Sequence, residues 1–237
     1  MIFKKFGKIS RLSRDIVITE KLDGTNAQVL IINGEQLEIE LNLDYEKNTD
    51  FFENYVLFTT APNNSIAYDA KNLYMFAGSR NRWLDCSSNG DNYGFAKWVK
   101  ANAEELIKLG EGRHFGEWYG YGIQRGYGLE EKRFALFNVG KWASRNVLIN
   151  NILCERNELT EDDKRTLVPK CCKVVPILYE GTFDTNVIDD VLDGLRQDGS
   201  IAVPGYMKPE GLVVYHKTSG QLFKKTIEND EKPKSIK

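Results

Sequence analysis

An α+β fold with largely antiparallel sheets flanked by helices is what this sequence predicts, and three observations carry it. Short apolar runs of strand character outnumber stretches of helical period. The two kinds of stretch do not alternate regularly, as a doubly wound parallel sheet would require. Hydrophobic residues at 41% and charged residues at 28% are ordinary globular usage, and 237 residues suffice for a sizeable core. Length alone permits one large domain or a domain with a short appendage, and the motifs along the chain narrow this to a single domain over 1–237.

Taken in order, Ile16 to Lys21 reads as a strand. The apolar run Ala27 to Ile32 meets Asn33-Gly34 and is followed by Leu37, Ile39 and Leu41 in alternation. Asn-Gly suits the positive-φ turn that joins two twisted strands, so this stretch predicts a hairpin. From Gly94 to Leu109, Phe95, Trp98, Val99, Leu106 and Ile107 recur at helical spacing, with Asp91 or Asn92 as caps and Gly110 beyond the end. A second helix is expected over Val187 to Arg196, where Ile188, Val191, Leu192 and Leu195 share one face. Arg133 to Val139, Val174 to Leu178, Gly211 to His216 and Leu222 to Ile227 read as further strands.

Charge and cysteine usage narrow the function classes. With 32 basic and 34 acidic residues the net charge is -2, which excludes a protein that grips polyanions by bulk charge; any phosphate site must be local. The four cysteines, Cys86, Cys154, Cys171 and Cys172, contain no CxxC pair, so reduced thiols are expected rather than a disulfide framework or a zinc site. His114 and His216 are the only histidines and read as structural, so acid/base work falls to lysine and carboxylates. No apolar run reaches the ~20 residues of a membrane span, and MIFKKFGK lacks the apolar core of a signal peptide. A soluble, cytoplasmic protein is the expectation.

The segment Thr19-Glu20-Lys21-Leu22-Asp23-Gly24-Thr25-Asn26 places a lysine at a strand end before a turn-forming Asp-Gly. A lysine is a covalent nucleophile once deprotonated, and a rigid strand-to-turn junction suits one. Taken alone, Lys-x-Asp-Gly is better read as a solvated strand-end lysine beside a type I′ turn. Further segments follow in fixed order: Gly78-Ser79-Arg80, then Phe115-Gly116-Glu117-Trp118, then Phe134-Ala135-Leu136-Phe137-Asn138-Val139. Lys208-Pro209-Glu210-Gly211-Leu212-Val213-Val214 and Leu222-Phe223-Lys224-Lys225-Thr226 complete the set.

This ordered set resembles the nucleotidyltransferase motifs of the covalent superfamily of polynucleotide ligases and mRNA capping enzymes. Within it, the chain is most similar to ATP-dependent RNA ligases of the phage nick-sealing type, through Asn26, the stretch Gly116 to Arg125 and Lys208-Pro209-Glu210-Gly211. The resemblance covers residues from about 16 to 227. It implies a ligase adenylation-domain fold with the nucleotide site between the sheets, and no OB-type or other C-terminal domain.

The resemblance also assigns roles. Lys21 would attack the α-phosphate of ATP and carry the AMP as a lysyl-AMP phosphoramidate. Glu20 would lie near the adenine, and Asn26 would help hold the reacting phosphate or a metal-bound water. Arg80 would contact the ribose or the incoming 5′-phosphate, a task suited to a planar bidentate donor. Glu117 would accept hydrogen bonds from the ribose hydroxyls and Phe137 would stack on the adenine. Glu210 would bind a divalent ion, Mg²⁺ or Mn²⁺, because hard cations prefer carboxylate oxygens. The implied partner is RNA with 5′-phosphate and 3′-hydroxyl ends, with DNA or an RNA–DNA hybrid as alternative substrates. An accessory nucleic-acid-binding protein would supply further grip, and no membrane is involved.

Two departures from the family pattern bear on this. The last motif usually has two lysines separated by one residue, on the same strand face; here Lys224 and Lys225 are adjacent. Lys225 before Thr226 matches the second lysine, while Lys224 matches if the register shifts by one, or a bulge presents both. The stretch between Lys21 and Arg80 is also long, and Tyr45 to Tyr74 within it is expected to be an insertion of local strands and loop. Other readings of the set are a minimal ATP-dependent DNA ligase, a capping guanylyltransferase, or a non-catalytic nucleotide- or RNA-binding module with the same fold. Outside the motifs, Lys4, Lys5, Lys8, Arg11 and Arg14 precede the first acid, Asp15; a solvated face and a nucleic-acid backbone contact both account for them. Arg125, Lys132 and Arg133 suit either the strand end being joined or ion pairs with Glu130 and Glu131.

Overall fold

Among the described residues, strands outnumber helices. The computed structural model describes residues 3–41, 49–62, 69–143 and 167–230. In order, the elements begin with β1 (Asp15–Lys21), β2 (Thr25–Asn33), α1 (Gly34–Leu41), α2 (Thr49–Tyr55), β3 (Phe58–Thr59), β4 (Leu73–Ser79) and β5 (Trp83–Leu84). They continue with α3 (Phe95–Ala101), α4 (Ala103–Leu106), a 3-10 turn (Ile107–Leu109), β6 (Gly112–Gly120), β7 (Lys132–Leu136) and β8 (Cys172–Val174). The last are β9 (Ile177–Thr182), α5 (Thr185–Asp198), β10 (Gly211–His216) and β11 (Gln221–Thr226). They form two compact units, one from residues 1–23 and 175–237, the other from 24–174.

In the first unit, strands run β11-β10-β1-β9, each antiparallel to its neighbour. Alternation along β1 sends Ile16 and Ile18 to one face, where they join Leu212 and Val214 and meet Leu192 and Leu195 of α5. The α5 stripe is the one its spacing predicts, and the helix starts where Asp184 accepts a hydrogen bond from the Asn186 amide at 2.8 Å.

The second unit is a sheet in the order β3-β4-β2-β6-β7-β8, with β5 added to β4; β7 and β8 pair in parallel and the other neighbours are antiparallel. Ala27, Val29 and Ile31 of β2 face α3 and α4 across a core with Phe95, Val99, Leu106, Trp118 and Phe134. Ring contacts among Phe95, Trp98, Trp118 and Phe134, with centroids 5.1–5.8 Å apart, fill that core with rigid aromatic area. On the opposite face, Leu30, Ile32, Tyr74 and Phe76 pack with Leu37 of α1 and Phe52 of α2.

Several expectations are corrected. Asn33-Gly34 starts a helix, not a hairpin. The Asn33 side chain accepts from the Gln36 amide at 2.8 Å, and neither residue is among the described positions of positive φ. Leu37 and Ile39 would share a strand face, but on a helix they diverge; Leu37 is 0% and Ile39 78% exposed. The single helix expected over Gly94 to Leu109 breaks at Asn102, whose φ of −111 ends α3 and whose side chain donates to the Trp98 carbonyl. Asp91 does cap α3, accepting from the Ala96 amide at 2.7 Å. The run Val174 to Leu178 belongs to two strands in different sheets, separated by Val175-Pro176; proline has no N–H to donate to a ladder.

Tyr45 to Tyr74 contributes a helix, α2, and the short β3 rather than strands alone, and the rest of it up to residue 68 lies largely outside the described residues. The type I′ turn that Lys-x-Asp-Gly would mark in isolation is absent: Asp23 and Gly24 do not have positive φ, and β1 and β2 lie in different sheets. Cys86, Cys171 and Cys172 are free, Cys154 lies outside the described residues, and no described helix is long and apolar enough to cross a membrane.

Candidate active site

Lys21 is the last residue of β1 and lies opposite Gly211, the first of β10. Its Nζ donates to Glu210 Oε2 at 2.5 Å, with side-chain exposures of 19% and 5%. Lys21 is therefore a half-sequestered cation tied to a buried carboxylate, not a solvated strand-end lysine. Gly211 has φ +154, and a Cβ there would lie 2.2 Å from the Lys225 carbonyl oxygen. The Glu-Gly pair thus needs its glycine for β11 to approach.

Glu20 points the other way. It is 1% exposed, and its carboxylate accepts from the Ser200 hydroxyl at 2.5 Å and from the Ile201 and Ala202 amides at 2.9 and 2.8 Å. Burial raises its pKa against the lowering effect of these hydrogen bonds. Its carboxylate thus fixes the loop after α5.

The two adjacent lysines separate by face. The β10–β11 register is unbroken, pairing Leu212 with Lys225 and Val213 with Lys224. Val213 pairs with Thr19 and Leu212 with Glu20, so Lys224 shares the face of Thr19 and Lys21 while Lys225 shares that of Glu20. In agreement, Lys225 forms an ion pair with Asp189 of α5, and Lys224 is exposed.

In the second unit, register alone gathers the remaining motif residues. Asn26 pairs with Glu117 and Glu117 with Ala135; Gln28 pairs with Phe115, beside which the Phe137 amide donates to the Phe115 carbonyl at 2.9 Å. Asn26, Glu117 and Phe137 therefore share one face of the sheet, opposite the α3 core. Phe137 is 38% and Phe115 46% exposed, whereas Phe134 of the same motif is fully buried. Arg80 follows β4 and is exposed. Glu117 Oε1 accepts from the Gly24 amide at 3.1 Å. A Cβ at Gly24 would meet the Trp118 carbonyl oxygen at 2.3 Å, so glycine is required here by close approach.

Sequence reasoning assigned no role to Gln28 or Phe115 on this face. Their period-two offset from Asn26 and Glu117 was the signal available. Gln28 Oε1 accepts from Arg113 at 3.3 Å, and Arg113 lies 5.5 Å from the Trp83 ring centroid. His114, on the opposite face, donates through Nε2 to the Gly110 carbonyl, and burial lowers its pKa; with His216 it is structural, as expected.

Among the described residues no three acids, cysteines or histidines cluster as a metal cage. The donor set at Glu210, one buried carboxylate, fits a hard divalent ion that brings most of its oxygen ligands as phosphates and water.

A family model described as RNA ligase matches residues 14–226. No curated protein matches. Among solved structures, variants of a Naegleria gruberi RNA ligase match. One with ATP and Mn has 17% identity and a TM-score of 0.47, covering 90% of this chain and 49% of that one. Another, with AMP and Mn, has 18% identity and a TM-score of 0.48, covering 91% and 50%. The chain spans about half the length of these structures.

Proposed function

We propose, from the premise that the chain belongs to the RNA ligase family, that it is an ATP-dependent RNA ligase working through a lysyl-AMP intermediate. The single observation that carries this reading is the Lys21–Glu210 pair at 2.5 Å, a nucleophile-type lysine held at a strand end by a buried carboxylate. The Lys21 amine, once its proton leaves, attacks the α-phosphate of ATP. The new N–P bond replaces the α–β phosphoanhydride bond, and pyrophosphate departs. An oxygen of the RNA 5′-phosphate then attacks the same phosphorus, breaking the N–P bond, returning the amine and giving an adenylylated 5′ end. A 3′-hydroxyl finally attacks the RNA phosphate, seals the strand and releases AMP.

Such steps need positioning and charge neutralisation more than a base, which suits a site without histidine. Lys224, on the Lys21 face, is the lysine that would meet the phosphates, and Lys225 would hold α5 in place. Glu117 and Asn26 would orient the ribose and reacting phosphate, Phe137 would stack on adenine, and Arg80 would contact the ribose or 5′-phosphate. Once Lys21 carries AMP, its nitrogen no longer bears a full positive charge, and its ion pair with Glu210 is weakened. A magnesium or manganese ion at Glu210 would neutralise phosphoryl charge at that stage. Residues 1–237 are read as one adenylation domain because the ordered motifs run through nearly the whole chain.

The test is label transfer from [α-³²P]ATP to protein in Mg²⁺ or Mn²⁺. The parent is expected to become labelled and Lys21→Ala to remain unlabelled; a labelled Lys21→Ala protein would overturn the assignment. Sealing of nicked RNA against nicked DNA by the parent then fixes the substrate class, and GTP in place of ATP separates ligase from capping chemistry.

A further inference from the structure

Ahead of β1 the chain repeats a three-residue unit four times: Phe3-Lys4-Lys5, Phe6-Gly7-Lys8, Ile9-Ser10-Arg11 and Leu12-Ser13-Arg14. Each unit opens on an apolar residue and closes on a cation. All of residues 3–14 are exposed, and Phe3, Phe6, Ile9 and Leu12 are 89, 83, 80 and 67% accessible, too open to belong to any core. Five cations stand here without an acid, so the segment carries +5 in a chain of net -2, leaving -7 for the remainder. The near-neutral total thus hides a strong local segregation of charge.

The period decides what the segment suits. On an α-helix, residues three apart drift by about 60° per step, so neither set would form a coherent face. That removes the amphipathic helix by which a chain lies on a membrane. The structure gives these residues no helix. A chain with three residues per turn, by contrast, lines the apolar side chains along one edge and the cations along another, about 9 Å apart. Cations interleaved with aromatic and aliphatic side chains complement a strand that offers phosphates and open base faces.

The root of the segment is fixed. The Leu12 carbonyl accepts from His216 Nε2 at 2.8 Å and the Arg14 carbonyl accepts from the Phe183 amide at 2.9 Å. His216 is buried, and its Nδ1 accepts from the Ser219 amide at 3.2 Å, which leaves the proton on Nε2. From that root β1 runs its seven residues to Lys21, a span of about 20 Å.

We propose that residues 3–14 are a binding arm for single-stranded RNA, with Lys5, Lys8, Arg11 and Arg14 on phosphates and Phe3 and Phe6 against bases. The inference rests on the RNA ligase reading above and adds to it a remote grip, roughly six nucleotides from the reacting end at about 3.4 Å each. Fluorescence anisotropy with a 5′-phosphorylated RNA of about twenty nucleotides, titrated with NaCl, tests it on the full chain. Combined Lys5→Ser, Lys8→Ser, Arg11→Ser and Arg14→Ser is expected to reduce the log–log salt slope by about 3, and the affinity on the order of a hundredfold near 0.1 M salt. Phe3→Ala with Phe6→Ala is expected to weaken binding at least about tenfold with the slope unchanged, because stacking does not release counter-ions.

Label transfer from ATP should be the same in all of these proteins, since the arm is rooted a full strand length from Lys21 and the step uses no RNA. For RNA of two or three nucleotides the arm variants should match the parent; an equal loss there would overturn the remote placement. An unchanged salt slope would overturn the arm, as would binding to vesicles containing anionic phospholipid without binding to RNA. If the parent takes no AMP from ATP yet the arm variants lose RNA, the arm stands and the ligase reading fails.

Discussion

The two units handle polar residues in opposite ways. In the first, Lys21, Glu210 and Glu20 are withdrawn from water and each is satisfied by a specific partner. In the second, Asn26, Glu117, Phe115 and Phe137 lie on a sheet face that is half-buried or open. In the first unit, breaking the Lys21–Glu210 pair is therefore expected to cost stability, because a buried charge without its partner is expensive. The residues on the open face of the second unit belong to neither of its buried clusters, the one with α3 and α4 across the sheet nor the one with α1 and α2 farther along their own face, so contact with a ligand would disturb little of its core.

The largest expected effect tests that contrast directly. Glu210→Ala removes the partner of a mostly buried ammonium and should cost about 3–5 kcal/mol of stability in urea unfolding, along with label transfer from ATP. Phe137→Ala should change stability by no more than about 0.5 kcal/mol yet weaken ATP binding by about 1–3 kcal/mol in calorimetry. Equal losses of stability in the two variants would break the contrast.

A smaller effect divides the adjacent lysines. Lys225→Ala breaks an exposed ion pair with Asp189, worth under about 1 kcal/mol, and should leave the rate of label transfer close to parental. Lys224→Ala should leave stability unaltered and slow label transfer by tenfold or more, about 1.4 kcal/mol in the barrier. The reverse pattern would assign the phosphate contact to Lys225.

The smallest effect has opposite sign in the two units. Burial raises the Glu20 pKa, so the native state binds more protons than the unfolded chain above about pH 4.3, and stability falls as pH climbs toward the raised value. Burial lowers the His114 pKa, so its contribution is present above about pH 6.5 and is lost as pH falls toward the lowered value. Denaturant midpoints measured across pH 4–8 should lose the first slope in Glu20→Gln and the second in His114→Gln.

Much of this was legible in the residues. Strands β1, β2, β10 and β11 and helix α5 follow from alternation and helical spacing, because local period reports which side of an element is buried. The ordered motifs named Lys21, Glu117, Phe137 and Glu210 as a set, and the family match over residues 14–226 agrees with the resemblance they carry. β4 and β6 were visible only as motifs: β6 alternates exposed or half-exposed with buried residues, but the glycines and the buried His114 along it blur the pattern.

What the sequence by itself determined is therefore the candidate set: which side chains, in which order, and on which kind of element. Tertiary structure decided which partner each one received. Asn33-Gly34 became a helix start because Leu37 could be buried beside Phe52 and Tyr74, a contact no local rule contains. Glu20 was turned onto the loop after α5 while Lys21, its neighbour, was turned onto Glu210. Lys224 and Lys225 were told apart by a register set across β10 and β1. A strand's period fixes that adjacent residues face opposite ways, but only its pairing with other strands fixes which way is which.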